Sequence, residues 1–290
     1  MQQKLYPYLQ LMRPANIITA FADILAGYAI VAAPITFDLF YLLITTMCLY
    51  AGGIIFNDVF DVAVDRIERP HRPLASQAIK LQSGILIGSA LFIVGLLSAS
   101  LVNQYSFIVA FSIVVACLVY DGYLKKEVYL GSINMGICRA LNLCLGMSCI
   151  PSAMHQTWWV SLFPLVFITG VNLLSREEAN PQSWLNIRIS MILYGLTLIG
   201  IIFLLSFGYF AALSTLPVIL LLLITNYYPL IKIKRAFTAE HVQEAVKAGI
   251  LSLILLDAIY SIGLGNWQFG FFIILLLPIA NMLSKFFYVT

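Results

Sequence analysis

The chain has 290 residues, of which 61% are hydrophobic and only 10% charged, and its mean hydropathy is +0.96. A soluble domain carries about 25% charged residues, so the composition excludes a water-soluble globular protein and points to an integral membrane protein. The net charge of +3 is too dispersed to track a phosphate backbone, which excludes a nucleic acid partner.

Met1 to Arg13 is polar and basic, and the first apolar run after it is long enough to span a bilayer, so no cleavable signal peptide is expected. Apolar stretches follow at about 15–34, 38–57, 80–101, 105–120, 131–150, 157–174, 185–206, 210–228, 246–264 and 267–287. They predict an all-α, polytopic membrane helix bundle with ten spans, built as one membrane domain over 1–290. The five cysteines, Cys48, Cys117, Cys138, Cys144 and Cys149, lie in these stretches without a CxxC pair and read as small buried hydrophobes, not a zinc site or disulfide framework.

Every lysine and arginine except Arg139 falls on one alternating set of connections: Lys4 and Arg13; Arg66, Arg69, Arg72 and Lys80; Lys125 and Lys126; Arg176 and Arg188; Lys232, Lys234, Arg235 and Lys247; and Lys285. The opposite connections, near 35–37, 102–104, 151–156, 207–209 and 265–266, have none. By the positive-inside rule the basic loops and both termini face the cytoplasm, in a bacterial or archaeal inner membrane. Tyrosine precedes lysine by five residues both in Tyr120-Asp121-Gly122-Tyr123-Leu124-Lys125 and in Tyr227-Tyr228-Pro229-Leu230-Ile231-Lys232. This suggests two parallel halves, about 10–125 and 131–235, around one central mouth. Tyrosine and lysine marking membrane interfaces would produce the same pattern.

The second–third connection carries the chemistry. Asp58, Asp61 and Asp65 stand at i, i+3 and i+7, so one helix face would hold all three, and Arg66, Arg69 and Arg72 follow. Carboxylates at the end of a membrane helix are costly unless a cation sits against them. Mg²⁺, a hard ion that takes carboxylate and phosphate oxygens, suits Asp58, Asp61 and Asp65, with Asn57 as a neutral oxygen donor beside them. Arg66, Arg72, Lys125 and Lys126 are then candidates for the phosphates. A prenyl diphosphate fits: its tail needs an apolar cavity, and departure of pyrophosphate needs metal and cationic donors. On this scheme Asp58, Asp61 and Lys125 are the catalytic candidates. The plainer reading is a solvated, salt-bridged loop.

Asp23, Arg139 and Asp257 fall inside predicted spans. Intramembrane charges face a polar interior or one another, so Arg139, with Asn142, either lines the cavity and meets the diphosphate from below or pairs with Asp23. Asp257 has no assignment. Asn172, near the end of the sixth span, is a further cavity candidate, and His71, His155 and His241 lack ligand-like spacing.

Asn57-Asp58-x-x-Asp61-x-x-x-Asp65, followed by Arg69-Pro70-x-Arg72-Pro73-Leu74, resembles the first aspartate-rich motif of the UbiA superfamily of intramembrane prenyltransferases, and its arginine–proline tail is closest to the archaeal ether-lipid branch. Arg13-Pro14-x-Asn16 and the Tyr120/Lys125 pair also sit where that family has such residues. The resemblance spans about residues 10 to 260. It implies nine helices around a cavity opening to the cytoplasm, an added C-terminal helix at 267–287, Mg²⁺, and prenyl transfer from a polyprenyl diphosphate to an aromatic, small polar or lipid acceptor. It also implies substrate roles for Asn16, Tyr120, Arg176 and Glu177. The family's second motif, Arg-Glu-x-x-Lys-Asp-x-x-Asp, departs here: after Arg176-Glu177, Pro181 and Trp184 stand where aspartates belong, and neither offers an oxygen ligand. Glu177, Glu178 and Asn180 are the residues available to compensate. A non-catalytic isoprenoid-lipid binder or transporter, or a secondary transporter using Asp23, Arg139 and Asp257, stays open beside the enzyme reading.

Overall fold

A computed structural model of the chain describes residues 2–178 and 181–284, and every regular element among them is helical. The calls on Asn180 and Lys285 lie outside the described residues, as does the side chain of Lys4. The N-terminal stretch, expected as a polar tail, forms helix α1 (Gln2–Met12). Its anchor is Leu11, fully buried in a small cluster with Ile55, Leu74 and Ile79, which only the folded chain brings together. Arg13 alone separates α1 from α2 (Pro14–Ile30) and takes a left-handed backbone, φ 47°.

The remaining helices are α3 (Phe37–Phe60), α4 (Val62–Glu68), α5 (Leu81–Val102), α6 (Gln104–Gly122), α7 (Val128–Met147), α8 (Pro151–Thr157), α9 (Leu162–Ser175), α10 (Trp184–Ser206), α11 (Ala212–Arg235), α12 (Ala239–Gly263) and α13 (Trp267–Leu283). All ten predicted spans appear. Eight helical segments are long and apolar enough to cross a membrane, and the other two spans, α2 and α13, are shorter apolar helices of 17 residues each. Hydropathy misplaces ends where a helix continues past the lipid. Thus α11 runs on to Arg235 and α12 begins at Ala239, because charged residues are tolerated in helices wherever water meets them. The predicted sixth span is assembled from α8, a 3-10 turn over 158–161, and α9.

Helix α12 is the most buried span and packs along α2, α9, α11 and α13, while α7 lies between α2 and α9. Lipid supplies no hydrophobic drive between apolar helices, so close backbone approach through small residues holds them. A Cβ on Gly27 would come within 2.4 Å of the Leu143 carbonyl oxygen, and one on Gly146 within 2.6 Å of that of Ile24. On the other side of α7, a Cβ on Gly136 would lie 2.4 Å from the Leu165 oxygen. These contacts fix the face of α7 that carries Arg139 and Asn142. Replacing Gly146 by Ala forces α2 and α7 apart and should lower stability by about 1–3 kcal/mol. Gly122→Ala, where a Cβ meets nothing within 4 Å, should be neutral, and thermal unfolding in detergent compares the two.

Candidate functional site

A cavity of about 420 Å³ lies between α2, α3, α6, α7, α9 and α12. Its interior is apolar, lined by Leu49, Ile54, Ile113, Ile168, Val246 and Leu253 among others. Most of its charge gathers at one end, where the α3–α4 junction, the α6–α7 connection and the loop after α9 converge and Asn57, Asp121, Lys125, Arg69, Arg72, Arg176 and Glu178 reach the lining.

Helix α3 yields to α4 at Asp61. Asp58 and Asp65 stay on one face, as the spacing predicts, and share one nitrogen: Arg72 Nη1 donates to Asp58 Oδ1 at 3.1 Å and to Asp65 Oδ2 at 2.7 Å. Arg13 Nη2 adds a second bond to Asp58 Oδ1 at 2.8 Å. Asp61 turns to the other wall and pairs with Lys125. Asp58 and Asp65 are only 2% and 4% exposed, a burial that an uncompensated carboxylate does not tolerate. The left-handed backbone of Arg13 costs about 1 kcal/mol or more, and its ion pair with Asp58 lies at that same strained corner.

Asn57 donates through Nδ2 to Asp121 Oδ1 at 2.8 Å, which brings a fourth carboxylate to the mouth. Sequence spacing in the aspartate-rich segment gives no sign of Asp121; its signal is its place beside Tyr120 and four residues before Lys125. Tyr120, Asn172 and Asn16 line the cavity, and Asn172 Oδ1 accepts from Ser132 at 3.0 Å. Arg176 Nη1 donates to the Lys125 carbonyl at 2.8 Å, tying the α9 loop to the α6–α7 connection, and its Nη2 is buried with no partner among the described residues. Deeper in the cavity, Arg139 lines the wall and pairs with Asp23 at 2.9 Å, so the structure shows the expected ion pair at a cavity-lining position. Asn142 lines the wall beside it and donates to Asp23 Oδ2 at 2.8 Å.

Three expected substrate residues lie elsewhere. Arg66 and Lys126 are exposed and outside the cavity lining. Glu177 is buried and faces its own loop. It accepts from the Gln182 and Ser183 amides at 2.8 and 2.9 Å and from Asn186 Nδ2 at 2.6 Å, so its oxygens hold the chain's entry into α10. Glu178 takes the cavity-facing place, its Oε1 buried without a partner among the described residues. Burial raises its carboxyl to about 7, partly offset by the Arg69 guanidinium. Trp184, standing at an expected aspartate position, packs against Phe237 with ring centroids 4.6 Å apart.

Among the described residues no group of three or more His, Cys, Asp or Glu side chains gathers around one point as a metal cage. Arginine and lysine nitrogens stand between the carboxylates instead. Arg72 Nη1, bridging two oxygens from different carboxylates, occupies the kind of position a cation would take. The donor set is oxygen-only, which suits Mg²⁺ and not zinc or copper.

An apolar helical bundle with a charged cavity mouth defines a polytopic integral membrane protein. The chain belongs to the UbiA prenyltransferase family, whose model matches residues 18–239. It is 29% identical over 194 residues to the digeranylgeranylglyceryl phosphate synthase of Sulfurisphaera tokodaii, covering 63% of this chain and 70% of that one. The chain spans half to three fifths of the length of further curated relatives bearing the same name. Its fold matches a solved digeranylgeranylglyceryl phosphate synthase with a TM-score of 0.69 at 22% identity, over 90% of this chain and 99% of that one. It also matches a UbiA homologue from Archaeoglobus fulgidus, solved with GPP and Mg²⁺, with a TM-score of 0.58 at 14% identity, over 96% and 99% of the two chains.

Two outcomes check this geometry. Arg72→Ala leaves Asp58 with Arg13 alone and strands Asp65, and should cost about 3 kcal/mol or more, read as a fall in the detergent unfolding temperature. Glu178 binds its proton more tightly folded than unfolded, so it weakens the fold as pH rises from the ordinary glutamate value to about 7. Glu178→Gln should therefore match wild type near pH 4, gain on it between pH 5 and 7, and hold that lead above.

Proposed function

We propose that the protein transfers a prenyl group from a polyprenyl diphosphate to an acceptor within the membrane, with Mg²⁺. The observation that carries this reading is the mouth itself, where Arg13, Arg72 and Lys125 line the head of an apolar cavity and each holds an aspartate, Asp58, Asp65 and Asp61, that stands outside that lining. The solved relative with GPP and Mg²⁺ supports it. Asn57, Asp58, Asp61 and Asp65 would hold the metal, which neutralises charge on the departing pyrophosphate.

The rest follows from the chain's own residues. Arg72, Arg13 and Lys125 balance the acidic side chains while the mouth has no ligand, and they turn to the diphosphate oxygens when those side chains bind metal. Each partner exchanges one opposite charge for another, so no buried group is left uncompensated. Arg176 Nη2 stands ready for the same phosphates. Asn16, Tyr120 and Asn172 would place the diphosphate and first prenyl carbons against the wall. The carbon–oxygen bond breaks with its electron pair leaving on pyrophosphate, and the apolar wall keeps water from the allylic cation until the acceptor oxygen or carbon bonds to it and gives up its proton to the released pyrophosphate. The mouth faces the cytoplasm with both termini, following the placement of the basic loops.

A second reading, binding without turnover, is favoured by one observation: Pro181 and Trp184 replace two expected aspartates, and the Glu177 oxygens are committed to their loop. Pyrophosphate release from geranylgeranyl diphosphate by purified protein decides between them. Release that needs Mg²⁺, stops with EDTA and falls at least about 100-fold in Asp61→Ala supports the transferase. Tight diphosphate binding with no release across an acceptor panel supports the binder.

A further inference from the structure

The deep polar group around Arg139 is not needed to hold a diphosphate at the mouth. Asp23 and Asp257 are wholly buried, and Arg139 is 5% exposed. Arg139 Nε lies 2.9 Å from Asp23 Oδ2, which also accepts from Asn142 Nδ2 at 2.8 Å. Asn142 is committed on every side, since Nδ2 also reaches the Ala20 carbonyl at 3.0 Å and Oδ1 accepts from Thr46 at 2.7 Å. Both Asp257 oxygens are buried, and no donor from a described residue reaches them. The charge of the Arg139 guanidinium is already matched by the carboxylate of Asp23.

Arg139 Nη2 is left over. It is buried, has no partner among the described residues, and belongs to a residue that lines the cavity with its Cζ 5.8 Å from the centre of the Tyr50 ring. Tyr50 precedes Asn57 by seven residues on α3, a rise of about 10 Å, so this donor stands one small molecule below the mouth. The glycine contacts of α7 with α2 and α9 hold it there. An unused donor on a guanidinium whose charge Asp23 already matches binds an oxygen that accepts a hydrogen bond. An anion would bring uncompensated charge to membrane depth, close to Asp23.

We propose that Arg139, positioned by Asp23 and, through it, Asn142, forms a second subsite inside the cavity that takes a hydroxyl or carbonyl oxygen of an uncharged acceptor. The assignment of that ligand as the acceptor rests on the transferase reading above. It separates this chain from relatives whose name specifies a glyceryl phosphate product, because a phosphate is disfavoured at this subsite.

The test uses the full chain in detergent with a matched pair of probes, 1-naphthol and 1-naphthyl phosphate, titrated without metal or diphosphate. Naphthol should bind at least 10-fold more tightly than its phosphate. Arg139→Lys keeps a cation for Asp23 but loses the planar fork. It should weaken naphthol about 10-fold while leaving the affinity for geranylgeranyl diphosphate with Mg²⁺ within about twofold. If that variant does not fold, the charge-neutral double variant Asp23→Asn/Arg139→Gln gives the same readout. An equal loss for the diphosphate, unchanged naphthol binding at a wild-type unfolding temperature, or tighter binding of naphthyl phosphate overturns the subsite. Mg²⁺-dependent pyrophosphate release is measured separately, so either reading can fail without the other.

Discussion

Four carboxylates near or inside a membrane bundle need cations, and most of the site's architecture answers that need. Asp58, Asp61 and Asp65 are met by Arg13, Arg72 and Lys125 from three separate segments, and Asp23 is met by Arg139. The long connection between α4 and α5 must fold back for Arg72 to reach both acids. The α6–α7 connection must approach α3 for Lys125 to reach Asp61. The mouth is thus the place where charge compensation stitches distant parts of the chain together, over a cavity whose walls carry little charge of their own.

Much of this was legible in the residues. The ten spans were marked by long apolar runs, because a bilayer enforces length and composition at once. Asp58 and Asp65 met at one nitrogen of Arg72, as the i and i+7 spacing allows, whereas Asp61, expected on the same face, pairs with Lys125 because the helix changes at that residue. Lys125 reached the same mouth, which the alternation of basic loops made possible. Helix α1 was not legible, because its stability rests on Leu11 meeting residues more than forty positions away. The helix ends in water were misjudged for a related reason: hydropathy reports the lipid and is silent on helical hydrogen bonding beyond it.

The loop after α9 shows where residue identity misleads. Glu177 and Glu178 are adjacent and chemically alike, yet one closes its own loop and the other faces the cavity. Only the backbone path distinguishes them, and nothing in the two letters reports it. Asp121 makes the converse point: a single acid with no patterned neighbour enters the site because Asn57 reaches across from α3.

Helices α2 and α13 pack against each other, and each has 17 residues. At 1.5 Å per residue they cross about 25 Å, against roughly 30 Å for a typical hydrocarbon core. Helix α2 has no exposed residue, so only α13 presents this short span to lipid, and acyl chains beside it would compress at a cost of a fraction of a kcal/mol per Å. Along α13 the bilayer would dimple, which favours thin membranes over thick ones.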